Sequence, residues 1–212
     1  MTRSLSLAFL VVSATVAAGG MPFTFPGAPT RSRKPNPAVV ALRDYAATLH
    51  TNLGNLQVRF YPDEAPNAVR NFIQLAQRGY YDGSRFCTVF PGKMVLAGDP
   101  TGTGAGDNGK TLAFERSSTP NLAGSLAMDR TAAQDAKTNS GSRFMISLTD
   151  QRHLDGDYTV FGAITDGLDV ARRIGATRAQ PNQGRPTPIE EMVIERVTVT
   201  KPLPPKPEKS GD

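Results

Sequence analysis

Between Phe86 and Asp99 two short apolar runs, Phe86-Cys87-Thr88-Val89-Phe90 and Met94-Val95-Leu96-Ala97, flank the pair Pro91-Gly92. Gly98-Asp99-Pro100 closes the second run. Runs of this length bounded by turn residues are too short for helices and fit buried strands. Pro91 presets its own φ and Gly92 supplies a conformation other residues resist, so the stretch reads as a buried β-turn-β unit. The whole chain has 20 glycines and 17 prolines without a collagen-like period, which favours a turn-rich, mostly-β protein over a helical bundle. With 212 residues, 39% of them hydrophobic, it can bury one core with tails attached, not two full domains.

The segments around this unit agree. Ala46–Thr51 and Leu56–Phe60 read as a hairpin, Leu56, Val58 and Phe60 alternating with Gln57 and Arg59 in the half-buried period of two. A helix follows Pro66 and stops before Gly79, with Val69, Phe72, Ile73 and Ala76 on one stripe. A glycine-rich loop, Gly98 to Gly109, leads to strands near 111–114, 124–128 and 142–148, with a polar loop from Asp129 to Ser140 between the last two. A turn at His153–Gly156, a strand at Thr159–Ile164, a helix at Leu168–Ile174 and a strand at Val193–Thr200 complete the reading.

The net charge of +5 does not argue for nucleic acid as a partner. Arg3, Arg31, Arg33 and Lys34 sit in the N-terminal stretch and leave +1 for residues 35–212, so the folded part has no general basic patch. Residues 1–20 read as a secretory signal, with Arg3, an apolar segment from Leu5 to Ala18, and a cleavage site at Val16-Ala17-Ala18. Residues 21–40 form a proline-rich linker, 41–201 the folded domain, and 202–212 a disordered proline-rich tail. The expected location is therefore outside the cytoplasm, in the periplasm or cell envelope, with an uncleaved signal as the route to membrane proximity. Cys87 has no partner for an internal disulfide, and inside an apolar run it reads as a buried small hydrophobe.

Read as a pattern, Phe86 to Asp99 resembles the cyclophilin signature F-H-R-V-I-P-G-F-M-x-Q-G-G-D. The resemblance extends over roughly Ala46 to Thr200. It is carried by 49–54, Ala65-Pro66-Asn67-Ala68-Val69-Arg70-Asn71-Phe72, Gly79-Tyr80-Tyr81-Asp82-Gly83, 98–104, Gly141-Ser142-Arg143-Phe144 and 154–162. In this order and spacing the pieces are specific together, and Met128-Asp129-Arg130-Thr131 looks like the bacterial exported branch. The resemblance implies a closed eight-stranded antiparallel barrel capped by two α-helices, with no metal or other cofactor. It also implies peptidyl-prolyl cis-trans isomerase activity on proline-containing peptides or unfolded exported proteins.

That chemistry is rotation about the X-Pro bond, whose resonance sets a barrier of about 18–20 kcal/mol. An apolar pocket grips the ring, and in the family an arginine donates to the imide nitrogen as the bond twists. The matching position here is Thr88, a short neutral donor that does not stabilise charge as a guanidinium does. Cys87 replaces the family's histidine, Lys93 a phenylalanine, Leu96 and Arg143 two glutamines, Met145 the phenylalanine of the pocket floor, and Tyr158 a histidine. Phe86, Met94, Phe144 and Leu154 are kept. The implied substrate-binding set is thus Phe86, Met94, Leu96, Arg130, Phe144, Met145, Leu154 and Tyr158, with Thr88 and Arg143 as catalytic candidates. Arg143 would stand in for the missing arginine; its bland alternative is a pair with an acid such as Asp129 or a solvated side chain. The function expected is a weak isomerase, and the alternative is a non-catalytic module that holds prolyl segments. Low cyclosporin sensitivity is expected, notably from His153.

Two signals compete. Gly104-Ala105-Gly106-Asp107-Asn108-Gly109-Lys110-Thr111 matches G-x-x-x-x-G-K-[ST], the phosphate-cradling loop of nucleotide-binding proteins. That chemistry needs a long helix directly after the loop, and Ser117-Ser118-Thr119-Pro120 leaves no room for one. His50 and His153 are the only histidines, with no spaced Cys or carboxylate cluster, so no metal site is expected. His153 reads as a rim residue of the peptide groove.

Overall fold

The computed structural model describes residues 36–130, 138–182 and 184–201. The signal expected at 1–20, the linker up to residue 35, the tail at 202–212 and residues 131–137 of the polar loop lie outside the described residues.

The chain opens with a four-residue helix α1 (Pro37–Val40), then the hairpin β1 (Ala46–Thr51) and β2 (Gly54–Phe60), helix α2 (Pro66–Gln77) and short strand β3 (Ser84–Arg85). Next come β4 (Thr88–Phe90), β5 (Met94–Ala97), β6 (Thr111–Ala113), β7 (Ser125–Arg130) and β8 (Thr138–Ser147). A 3-10 turn at Arg152–Leu154, β9 (Val160–Asp166), α3 (Leu168–Gly175), β10 (Ala179–Gln180), β11 (Thr187–Pro188) and β12 (Val193–Thr200) follow. The fold is mostly β. In the hairpin, Leu56, Val58 and Phe60 are buried and Gln57 and Arg59 exposed, as the period of two requires. The polar loop expected up to Ser140 gives way to β8 at Thr138. Asn139 and Ser140 are buried there, Asn139 Nδ2 donating to Thr159 Oγ1 at 2.9 Å, so polar residues form strand because their side chains find partners.

One ten-stranded antiparallel sheet runs in the order β3-β12-β1-β2-β9-β7-β8-β5-β4, with β6 added to β8, while β10 and β11 make a separate ribbon. The sheet is open, with nine strands along its path, where the resemblance implied a closed eight-stranded barrel. The reason lies in consecutive residues. Phe86 N–H donates to Met192 O beside β12, and Cys87 N–H donates to Leu96 O in β5, each at 2.9 Å. The chain changes partner between them, so β3 and β4 end opposite edges of the sheet without a ladder joining them.

Helix α2 fills the concave side. Val69, Phe72, Ile73 and Ala76 are buried along one stripe, and Phe72 sits among Phe60, Tyr81, Phe144 and Phe161 at 4.9–5.6 Å between ring centroids. Burying each such ring is worth about 1.5–3 kcal/mol. Ala65 offers the helix no side-chain cap. Glu115 supplies one from a distant loop, its carboxylate accepting the N–H groups of Asn67 and Ala68 at 3.0 and 2.9 Å. The shorter α3 buries Val170, Ala171 and Ile174 and has Arg172 and Arg173 in its last turn, where a cation suits the helix dipole.

Candidate active site

Strand alternation builds the floor of the site. In β5, Val95 and Ala97 enter the main core, and Met94 and Leu96 face the other way; in β8, Phe144 and Ile146 enter the core, and Met145 faces the other way. Register then sets Leu96 beside Met145, Met145 beside Ala127, and Ala127 beside Val160. These four side chains and Cys87 form a second apolar cluster, separate from the main core, with Phe90, Met94, Leu154 and Tyr158 packed against it. A concavity of about 410 Å³ opens above it. Met94, Leu96, Met145 and Leu154 floor it, Phe90, His153 and Tyr158 wall it, and Lys93, Asp129, Gln151 and Arg185 form its polar part. Few polar groups over an apolar floor is the usual composition of a ligand groove.

Of the substrate-binding candidates, Met94, Leu96, Met145, Leu154 and Tyr158 line this groove. Phe86 and Phe144 do not. Phe144 precedes Met145 on the same strand and must point to the opposite face, where it packs edge-on against Phe72 and Tyr81. Phe86 is likewise in the main core. Arg130 acts beside the groove: its guanidinium lies 4.8 Å from the Tyr158 ring centroid and donates to Asp157 O, while its Nε has no partner among the described residues.

Neither catalytic candidate is open to the groove. Thr88 stands opposite Leu96 in the ladder, and Arg143 lies two residues before Met145, so both share the groove face of the sheet. Both are covered. Arg143 is 2% exposed; its Nε donates to Asp129 Oδ2 at 2.8 Å, and Nη1 to the carbonyls of Ala105 and Gly106 at 2.7 and 3.1 Å. Thr88 is fully buried and its Oγ1 has no hydrogen-bond partner among the described residues. A Cβ on Gly104, whose φ is +83°, would stand 2.8 Å from that oxygen, so the loop lies directly over it.

The covering loop is organised by Asp99. Burial alone would raise its carboxyl pKa, but hydrogen bonds from Thr101, Gly104 and Gly106 outweigh it and hold the group below the ordinary carboxylate range. The Gly104 and Gly106 N–H groups donate to Asp99 Oδ2 at 2.6 and 3.1 Å, so two donors of the phosphate-loop pattern already serve the chain's own anion. After Lys110 comes β6, not a helix. The nucleotide reading therefore has neither of its structural requirements.

The pair with Asp129, weighed above as the bland alternative for Arg143, is what the structure shows, and Arg185 is the residue that sequence reasoning missed. Asp129 Oδ2 accepts from Arg143 Nε at 2.8 Å and from Arg185 Nη1 at 3.2 Å. Arg185 reaches the site because Val89 N–H in β4 donates to Pro186 O at 2.8 Å, tying a distant segment to the groove wall. No periodicity or spacing signals that tie. Cys87 sits beneath the floor, its thiol pushed up to about 11 by burial and by the Asp99 charge, so it is no nucleophile at neutral pH. His50 is on the outer face, bonded to Asn55 and Thr198. Among the described residues no group of three or more His, Cys, Asp or Glu is placed to hold a metal, and no helix is long and apolar enough to cross a membrane.

The chain and its fold have counterparts among known proteins. Residues 46–199 match the model of the cyclophilin-type peptidyl-prolyl cis-trans isomerase family. A peptidyl-prolyl cis-trans isomerase of Synechococcus elongatus is 42% identical over 130 residues, spanning 60% of this chain and 87% of the relative. Peptidyl-prolyl cis-trans isomerase CYP18-1 of Arabidopsis thaliana is 36% identical over 159 residues, 73% of this chain and 95% of the relative. A cyclophilin-type isomerase of Cryptosporidium parvum, crystallised in the presence of the dipeptide Ala-Pro, superposes with a TM-score of 0.64 at 27% identity, covering 73% of this chain and 98% of that one. The chain thus belongs to the cyclophilin-type peptidyl-prolyl cis-trans isomerase family.

Proposed function

We propose that this protein is a slow peptidyl-prolyl isomerase that takes prolyl segments of exported proteins into the groove above Leu96 and Met145. The observation that carries the reading is the apolar floor of Met94, Leu96, Met145 and Leu154, which suits a proline ring and removes it from water. Rotation is easier for an imide held in such a site, because water no longer solvates the polar planar form. The rate is low because Thr88 and Arg143 are buried and direct no donor into the groove. The same burial favours a second reading, a non-catalytic module that holds prolyl segments on this floor.

Cis–trans exchange of a short Ala-Pro peptide, measured by NMR with and without the full chain, separates the two. Exchange faster than spontaneous, yet about 10–1000-fold below a family member with arginine at the Thr88 position, is expected. Peptide shifts without acceleration would establish the binding module instead. The export part of the proposal rests on the signal-like residues 1–20. Mass spectrometry of the protein from its native cell is expected to find an N-terminus after Ala18. An intact Met1 on a cytosolic protein would remove that part.

A further inference from the structure

The groove carries more positive charge than its buried ion pair uses. Asp129 is met by two guanidiniums, Arg143 and Arg185, so one positive charge is unmatched at that carboxylate. Arg143 is the buried partner, with donors directed at Asp129 and at the carbonyls of Ala105, Gly106 and Arg130. Arg185 is different. Its side chain is 37% exposed, it lines the groove, and its one guanidinium hydrogen bond among the described residues is the Nη1 contact to Asp129. A guanidinium has five N–H donors, so the contact fixes its orientation and leaves donors over.

Its place in the groove is as telling as its charge. A Cβ built on Gly104 would stand 2.8 Å from Thr88 Oγ1 and 3.5 Å from Arg185 Cδ, so the two side chains flank one small gap. The Arg185 stem therefore passes beside the covered end of the floor row, where Thr88 stops short. The segment is held there from both sides: Val89 N–H donates to Pro186 O at 2.8 Å, and Arg185 N–H donates to Asn182 O at 2.7 Å.

We propose that Arg185 is a catalytic residue of this groove, donating from its guanidinium to the imide nitrogen of a bound X-Pro segment as that bond twists. The inference rests on the isomerase reading above. In the planar imide the nitrogen lone pair is delocalised into the carbonyl; in the twisted state it returns to nitrogen, which becomes an acceptor. A fixed cationic donor at that point stabilises the twisted state more than either planar isomer, and only such a difference raises the rate. No covalent bond forms or breaks and Arg185 keeps its protons. Asp129 is the positioning residue, holding the guanidinium by one N–H while Arg143 shares its charge.

The test uses the full chain, the Ala-Pro peptide and exchange NMR on the wild type, Arg185→Gln and Arg185→Lys. The glutamine variant is expected to lose about 10–100-fold in kcat/KM with peptide affinity within about twofold, and the lysine variant to keep part of the rate. In the wild type, the Arg185 Nε–Hε resonance is expected to move when peptide is added. Should the glutamine variant not fold, the lysine variant and this resonance decide. An active wild type with an equally active glutamine variant overturns the role of Arg185 alone, as does an Arg185 resonance that stays still while the Met145 methyl moves. A wild type with no acceleration overturns the isomerase reading and this role with it.

Discussion

At the scale of single residues, Thr88 carries a hydroxyl that is fully buried and has no hydrogen-bond partner among the described residues. An orphaned buried hydroxyl costs about 1–3 kcal/mol, and valine removes it with little change of shape. Thr88→Val is therefore expected to leave the urea midpoint unchanged or raise it, and to leave the isomerase rate as it was. A rate lost in a variant that melts like the wild type would mean that the hydroxyl reaches the substrate. Which face such residues share was legible in the sequence, because Thr88 aligns with Leu96 and Arg143 with Met145 once the strands are known. The cover over them was not, since it comes from backbone of the 104–106 loop, and backbone placement leaves no side-chain pattern. That Phe144 and Met145 could not both line the groove was legible, since strand alternation alone decides it.

At the scale of elements, the glycine-rich loop is built on one carboxylate. Asp99 accepts from Thr101, Gly104 and Gly106, and Gly98 just before it has φ +86°, with Ser142 O only 2.2 Å from where a Cβ would be. The Asp99 pKa is lower in the folded protein than the unfolded value of about 3.9, because its hydrogen bonds outweigh its burial. The stability it contributes is complete above the unfolded value and is lost as the pH falls through the lower, folded one. Thermal melts from pH 6 to pH 2 are expected to show the wild type losing stability more steeply than Asp99→Asn below about pH 4, with a constant gap above it. Parallel curves would show that the loop does not depend on the charge. The hairpin, α2 and the strands around Pro91-Gly92 were legible because apolar period and turn residues agree in each. The two-residue strands β3, β10 and β11 were not, being too short to have a period, and the Arg185 segment that joins the groove lies between β10 and β11.

At the scale of the whole molecule, one curled sheet serves two apolar clusters. The inner cluster, gathered round Phe72, holds the fold, and the outer one, Leu96, Ala127, Met145 and Val160 with Cys87, lies under the groove and gives Leu96 and Met145 to its floor. Each strand that crosses both contributes to core and site by alternate residues, so the groove is positioned by the same strands that hold the core. The family frame, the β class and the place of Met94 and Leu154 in an apolar groove were legible; the open seam at Phe86–Cys87 was not, because it depends on which of two neighbours each amide chooses. The claim that prolyl segments occupy this floor is tested most directly by intermolecular NOEs between an Ala-Pro peptide and the full chain labelled at methionine methyls. Contacts from the proline ring to the Met94 and Met145 methyls are predicted. Contacts to Met192, which lines the separate pocket beside Arg85 and Glu191, without any to Met94 or Met145, would contradict the account.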